Sequence, residues 1–139
     1  MSVKACRVFG DHQFIGMQDE QLRACIQVVE DKKGEDWKVF HVSGIADYML
    51  LVTCNSEAHL KALGYALYET LKQQGTIGRI DYQPQSGWFV LDAFDFVAHL
   101  MTAEMRLFYR LDRLWGCAPI VTASDFPVDF KAETAAYAD

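Results

Sequence analysis

The stretch Tyr48-Met49-Leu50-Leu51-Val52-Thr53-Cys54 constrains this chain more than any other: seven residues without a charge, entered from Asp47 and left through Asn55-Ser56-Glu57. It is too short to span a bilayer, for which a helix needs about 20 apolar residues. A strand with one wet face alternates polar and apolar side chains, whereas an unbroken apolar run of this length suits a strand covered on both faces. The run therefore predicts a central strand. Such a strand needs partner strands beside it and helices packed on the sheet.

The flanking sequence supplies those elements. From Gln18 to Lys33, Leu22, Cys25, Ile26 and Val29 recur at helical spacing, with Asp19 and Glu20 favouring the start and Gly34 the end. Trp37 to Val42 alternates as a strand does. After the central run, Asn55 or Ser56 caps a helix that carries Leu60, Leu63, Leu67 and Leu71 and stops at Gly75. Ile77 to Tyr82 predicts a third strand, Pro84 to Gly87 a turn, and Trp88 to Ala93 with Asp95 to Met101 a tight hairpin. Thr102 caps a last helix whose apolar face is Leu107, Phe108, Leu111, Leu114 and Trp115, ended by Gly116. The order α-β-β-α-β-β-β-α predicts an α/β fold, a mixed five-stranded sheet with packed helices.

A chain of 139 residues needs only one core. The domain is expected at 18–116, with an N-terminal extension at 1–17 and an extended, mobile tail at 117–139. In that tail Pro119, Pro127, Asp125, Asp129, Glu133 and Asp139 leave no periodicity. Met1 to Met17 has no apolar signal region, and Asp11 is wrong for a mitochondrial leader, so a bacterial cytoplasm is the expectation. Cys6, Cys25, Cys54 and Cys117 are spaced too widely and irregularly for a zinc site or a disulfide framework and read as reduced thiols. A formal charge of −6 opposes binding to a phosphate backbone and suits a basic protein partner. No glycine-rich phosphate cradle occurs, and no cofactor is expected.

Three stretches, in order, resemble the ribosome-silencing-factor (RsfS/Iojap) family. The first is Ala46-Asp47-Tyr48 entering the apolar strand, followed by Asn55-Ser56-Glu57 with His59, Lys61 and Ala62. The second is Gly87-Trp88-Phe89-Val90-Leu91-Asp92 with Asp95 and His99, similar to the family's W-x-x-x-D-x-x-D-x-x-x-H hairpin. The third, Arg106 to Trp115, is similar to R-x-F-Y-x-L-x-R-L-W. The resemblance covers about Leu22 to Trp115. It implies a fold related to the nucleotidyltransferases without their catalytic residues, no enzymatic activity, and binding to the large ribosomal subunit through ribosomal protein uL14. That contact would repress translation by keeping the small subunit from docking. The chain departs from the pattern at Cys54, Ala58 and Arg110, and at Phe94, where the family usually has Gly.

Motif match and polarity together nominate Trp88, Asp92, Asp95, His99, Arg106 and Tyr109 as partner-binding residues. By period two, Trp88, Val90 and Asp92 share one side of their strand and Phe89, Leu91 and Ala93 the other, which leaves Trp88 partly exposed unless a helix of this chain covers it. Arg106, Tyr109, Arg110 and Arg113 form a basic stripe opposite Leu107, Leu111 and Leu114, either solvated or touching ribosomal RNA at the periphery. Asp47, Asp92 and Asp95 lie near strand ends and would, if they converged, suit a magnesium ion. A metal-dependent nucleotidyltransferase is therefore one rival reading, although Asp47-Tyr48-Met49 offers one acid where such an enzyme needs an Asp-x-Asp pair. A scaffold that self-associates as a homodimer through the sheet edge is another.

Overall fold

The computed structural model describes residues 20–41, 48–76, 78–93, 96–115, 119 and 121–122. The expected N-terminal extension, and all of the expected tail except 119 and 121–122, lie outside the described residues. Helix α1 (Glu20–Asp31) is followed by β1 (Glu35–Phe40), β2 (Tyr48–Cys54), α2 (Glu57–Gln73), β3 (Arg79–Tyr82), β4 (Trp88–Asp92) and β5 (Phe96–Thr102). Two short helices, α3 (Ala103–Tyr109) and α4 (Leu111–Trp115), and a two-residue strand β6 (Val121–Thr122) complete the order. The five expected strands all form, and β6 adds a sixth by pairing with Lys38 and Val39 at the edge of β1. No helix among the described residues is long and apolar enough to cross a membrane.

The apolar run takes the central place its composition requires. In the strand order β3-β4-β5-β2-β1-β6, β2 lies between β5 and β1. It pairs with β5 in parallel, from Tyr48↔Phe96 to Cys54↔Thr102, while the other pairings are antiparallel, so the sheet is mixed. Six of the seven β2 residues are buried.

The two faces of the sheet are covered unequally. On one, Leu22, Ile26 and Val29 of α1 and Leu60, Leu63, Leu67 and Leu71 of α2 pack on Trp37, Val39, Leu50, Val52, Phe89, Leu91 and Ala98. Ser56 caps α2 by accepting from the His59 N–H at 3.0 Å, and Gly75, at φ +86°, turns the chain away after it. Trp37 Nε1 donates to Glu30 Oε2 at 2.6 Å and ties β1 to α1. On the other face a smaller group, Phe40, Met49, Leu51, Met101, Leu111 and Trp115, is closed, among the described residues, by the short C-terminal helices.

The last helix departs from expectation. Thr102 caps it, accepting from the Met105 N–H at 3.3 Å, but Arg110 adopts a left-handed conformation (φ 54°, ψ 54°) and divides it into α3 and α4. Leu111 and Trp115 are buried as expected, with Trp115 4.9 Å from the Phe40 ring. Leu107, Phe108 and Leu114, expected on the same face, are 67%, 75% and 66% exposed. One left-handed residue redirects the axis, so positions before and after it no longer form one stripe.

Close packing of α2 on the sheet depends on Gly64, where a Cβ atom would stand 2.5 Å from the buried ring of Phe89. Replacing Gly64 with alanine gains roughly 1 kcal/mol of helix propensity but forces overpacking that costs roughly 1–3 kcal/mol. Gly64→Ala is therefore expected to lower the urea unfolding midpoint; a midpoint at or above wild type would refute the close approach.

Candidate docking face

Strand periodicity places Trp88, Val90 and Asp92 of β4 and Val97, His99 and Met101 of β5 on the sparsely covered face, paired as Trp88↔Met101, Val90↔His99 and Asp92↔Val97. Phe89 and Leu91 point into the larger core and are buried, so the expected division of β4 holds. Trp88 is half-buried. Its backbone is held by the Ser86 hydroxyl, which accepts from the Trp88 N–H at 3.3 Å and donates to the Trp88 carbonyl at 3.1 Å. Its indole N–H donates to His99 Nδ1 at 3.1 Å.

Aromatic rings connect this residue to both the core and the surface. Ring centroids are 5.7 Å apart for Trp115 and His99, 5.9 Å for His99 and Trp88, 4.8 Å for Trp88 and Tyr109, and 5.0 Å for Tyr109 and Phe108. Tyr109 therefore covers part of Trp88 while remaining 45% exposed itself. Burial holds the His99 imidazole down to about 4 from an ordinary 6.5, so the ring is neutral at physiological pH.

Of the nominated residues, Trp88, His99 and Tyr109 meet, and Asp92 shares their face at the far end of β4, opposite Arg79 of β3. Asp95 lies outside the described residues, as does Asp47. Arg106 is turned into the fold. With its side chain 11% exposed, it donates from Nη1 to Thr53 Oγ1 at 2.6 Å and to the Asp36 carbonyl at 2.7 Å, and Nη2 lies 3.6 Å from Asp36 Oδ2. The expected basic stripe is thereby broken, leaving Arg110 and Arg113 exposed without Arg106. Asp36 sits at φ 46° where the β1–β2 register shifts, and that irregularity presents its carbonyl to the guanidinium. Phe108 joins the rim of the face through Tyr109, and Leu107 is exposed, although their helical spacing had assigned both to the core; nothing local marks Arg110 for the left-handed turn that exposes them.

Little nucleophilic or metal chemistry is laid out among the described residues. No three His, Cys, Asp or Glu side chains among them are gathered to hold a metal. His59 is committed to structure, with Nδ1 accepting from the Asn55 N–H at 3.1 Å and Nε2 lying 2.7 Å from the Lys32 carbonyl. Burial pushes the Cys25 and Cys54 thiols up to about 12, which keeps them protonated and unreactive.

A family model described as ribosomal silencing factor during starvation matches residues 17–139. The chain belongs to the ribosomal silencing factor family. The ribosomal silencing factor RsfS of Halalkalibacterium halodurans is 34% identical over 106 residues, covering 73% of this chain and 91% of its own. That of Bacillus subtilis is 27% identical over 107 residues, covering 74% and 91%. The fold matches a crystal structure from Bacillus halodurans with a TM-score of 0.63 at 30% identity, over 70% of this chain and 94% of the other. A crystal structure from Chromobacterium violaceum matches with a TM-score of 0.68 at 27% identity, over 78% and 93%. The mixed α/β architecture read from the sequence is thus that of solved relatives.

Two stability predictions follow from these silencing-factor side chains. Arg106→Ala removes charge-assisted hydrogen bonds, each worth about 1.5–3 kcal/mol, and is expected to lower the thermal midpoint by several degrees. An unchanged midpoint would return Arg106 to the surface. The second concerns pH. Between 6.5 and about 4 the unfolded chain binds a proton at His99 that the fold refuses, so stability falls as pH drops through this window and levels off below it. The full contribution is on the order of 3 kcal/mol. Urea titrations across pH should show a steeper fall over this window in the wild type than in His99→Phe; equal slopes would sink the assignment.

Proposed function

We propose that this protein represses translation by seating the open sheet face on the large ribosomal subunit, at ribosomal protein uL14, where its bulk keeps the small subunit from joining. The observation that carries this reading is Trp88, an indole half-exposed on the sheet and held on two sides by His99 and Tyr109. Protein interfaces concentrate their binding energy in a few large aromatics set in a polar rim, and an aromatic already held in place loses little freedom on binding. Asp92 lies on the same face, and the chain carries a formal −6, which favours a basic ribosomal protein through faster encounter and specificity.

The action is occupancy rather than chemistry. Family membership supports association with the ribosome, and the cytoplasm is where such a factor would meet its target. A peripheral contact with ribosomal RNA would fall to Arg110 and Arg113, both exposed.

The test is to mix the full chain with separated ribosomal subunits and follow formation of whole ribosomes on sucrose gradients, beside Trp88→Ala. The wild type is expected to travel with the large subunit and suppress joining, more weakly as salt rises. Trp88→Ala is expected to weaken binding at least about 30-fold, corresponding to the roughly 2 kcal/mol of a binding hot spot. A wild type that leaves joining untouched would overturn the proposal, and stabilisation by magnesium and nucleotide on heating would then favour the enzymatic rival.

A further inference from the structure

The histidine beneath Trp88 is a costly choice for its position. A tryptophan N–H can only donate, so His99 Nδ1 must accept, and the single ring proton of the neutral imidazole is therefore on Nε2. Nε2 is buried and has no hydrogen-bond partner among the described residues. Burying a donor without an acceptor costs stability.

Among the described residues, the surroundings give nothing back for that cost. Trp115 and Trp88 flank the ring, its cross-strand neighbours are Val90 and Leu51, and burial holds its basicity down. A phenylalanine would fill similar space without an orphaned donor. Packing therefore does not call for histidine here, and what the imidazole supplies that a phenyl ring lacks is the acceptor at Nδ1.

We infer that His99 is a positioning residue for docking: its Nδ1 holds the Trp88 indole in one orientation on the open face, ready to anchor the partner. The inference rests on the reading of that face as the ribosome-docking surface. Without the bond the indole keeps its contact with Tyr109 but can rotate away from its docking pose. Immobilising a side chain at an interface costs about 0.5–1.5 kcal/mol, so losing the pre-set orientation should weaken binding by roughly 2- to 12-fold.

Four full-length proteins test this: wild type, His99→Phe, His99→Asn and Trp88→Ala. The asparagine side-chain oxygen can stand where Nδ1 stands, so this variant restores the acceptor without the ring. Each is measured for binding to isolated large subunits, for its thermal midpoint at neutral pH, and for solvent exchange of the Trp88 indole N–H by nuclear magnetic resonance. His99→Phe is expected to melt at or above wild type, lose indole protection and bind several-fold weaker. His99→Asn is expected to regain protection and most of the affinity even where it melts lower.

A stable His99→Phe that binds as tightly as wild type overturns the inference, as does an Asn variant whose indole is protected yet binds no better than Phe. If His99→Phe fails to fold, the wild type decides alone, because freely exchanging indole protons there would refute the bond. The docking reading fails separately. If Trp88→Ala binds as wild type does, or the wild type ignores large subunits, that reading falls and takes the inference with it. A weakened Trp88→Ala beside a full-strength His99→Phe removes only the role of His99.

Discussion

The parallel pairing of β2 with β5 is the constraint on which the rest of the molecule depends. Two adjacent strands running the same way cannot be joined by a hairpin, so the chain between them must cross over the sheet, and here that crossover includes α2. The helix in turn buries Leu60, Leu63, Leu67 and Leu71 against Leu50, Val52 and Phe89 and, with α1, closes one face. Among the described residues, the opposite face is packed by the two short helices that follow β5. They cover Phe40, Met49, Leu51 and Met101, and β4 is left half-exposed at Trp88, Val90 and Asp92. Among the described residues the crossover thus closes one face and leaves part of the other exposed, and the proposed docking uses that exposed part.

Arg106 and Arg110 determine how far the cover extends. Arg106 fastens α3 over the end of β2 by reaching Thr53 and the irregular start of β1 at Asp36, and the left-handed Arg110 then sends α4 down to the sheet so that Leu111 and Trp115 are buried. The same turn leaves Leu107 and Phe108 outside. Exposing large apolar groups is unfavourable in isolation, and adjoining apolar residues on a surface commonly mark a place where something binds. Phe108 continues into Tyr109 and Trp88 by ring contact, so its exposure belongs to the same surface as the indole.

What could be read from the sequence was whatever local chemistry or strict periodicity decides. The unbroken apolar run of β2, the Ser56 and Thr102 caps and the alternation that puts Trp88 and Phe89 on opposite sides all depend on residues within a few positions of one another. The misses are non-local. Arg106 turns inward because its acceptors lie 53 and 70 residues away in the chain, at Thr53 and Asp36. The helix breaks at an arginine, where glycine or asparagine would have been the recognisable signal, since burial of Leu111 and Trp115 against Phe40 outweighs one unfavourable backbone conformation. The pairing of β6 is likewise a choice made by the edge of β1, which two residues of their own composition cannot announce.

The candidate site follows the same division. Period two put Trp88 and Asp92 on one side and motif match nominated His99, but only three-dimensional pairing brings His99 to the same face and reveals the direction of the imidazole–indole bond. That direction matters for what kind of partner the face can take. With His99 neutral and its acceptor already engaged, the described centre of the face is made of rings, with Asp92 on the same face and a net acidity of the chain. On the proposed docking reading, close contact would be left to shape and apolar burial, while long-range attraction would favour a basic partner and weaken with salt. A surface built this way holds its geometry across the physiological pH range, because its central histidine titrates only well below it.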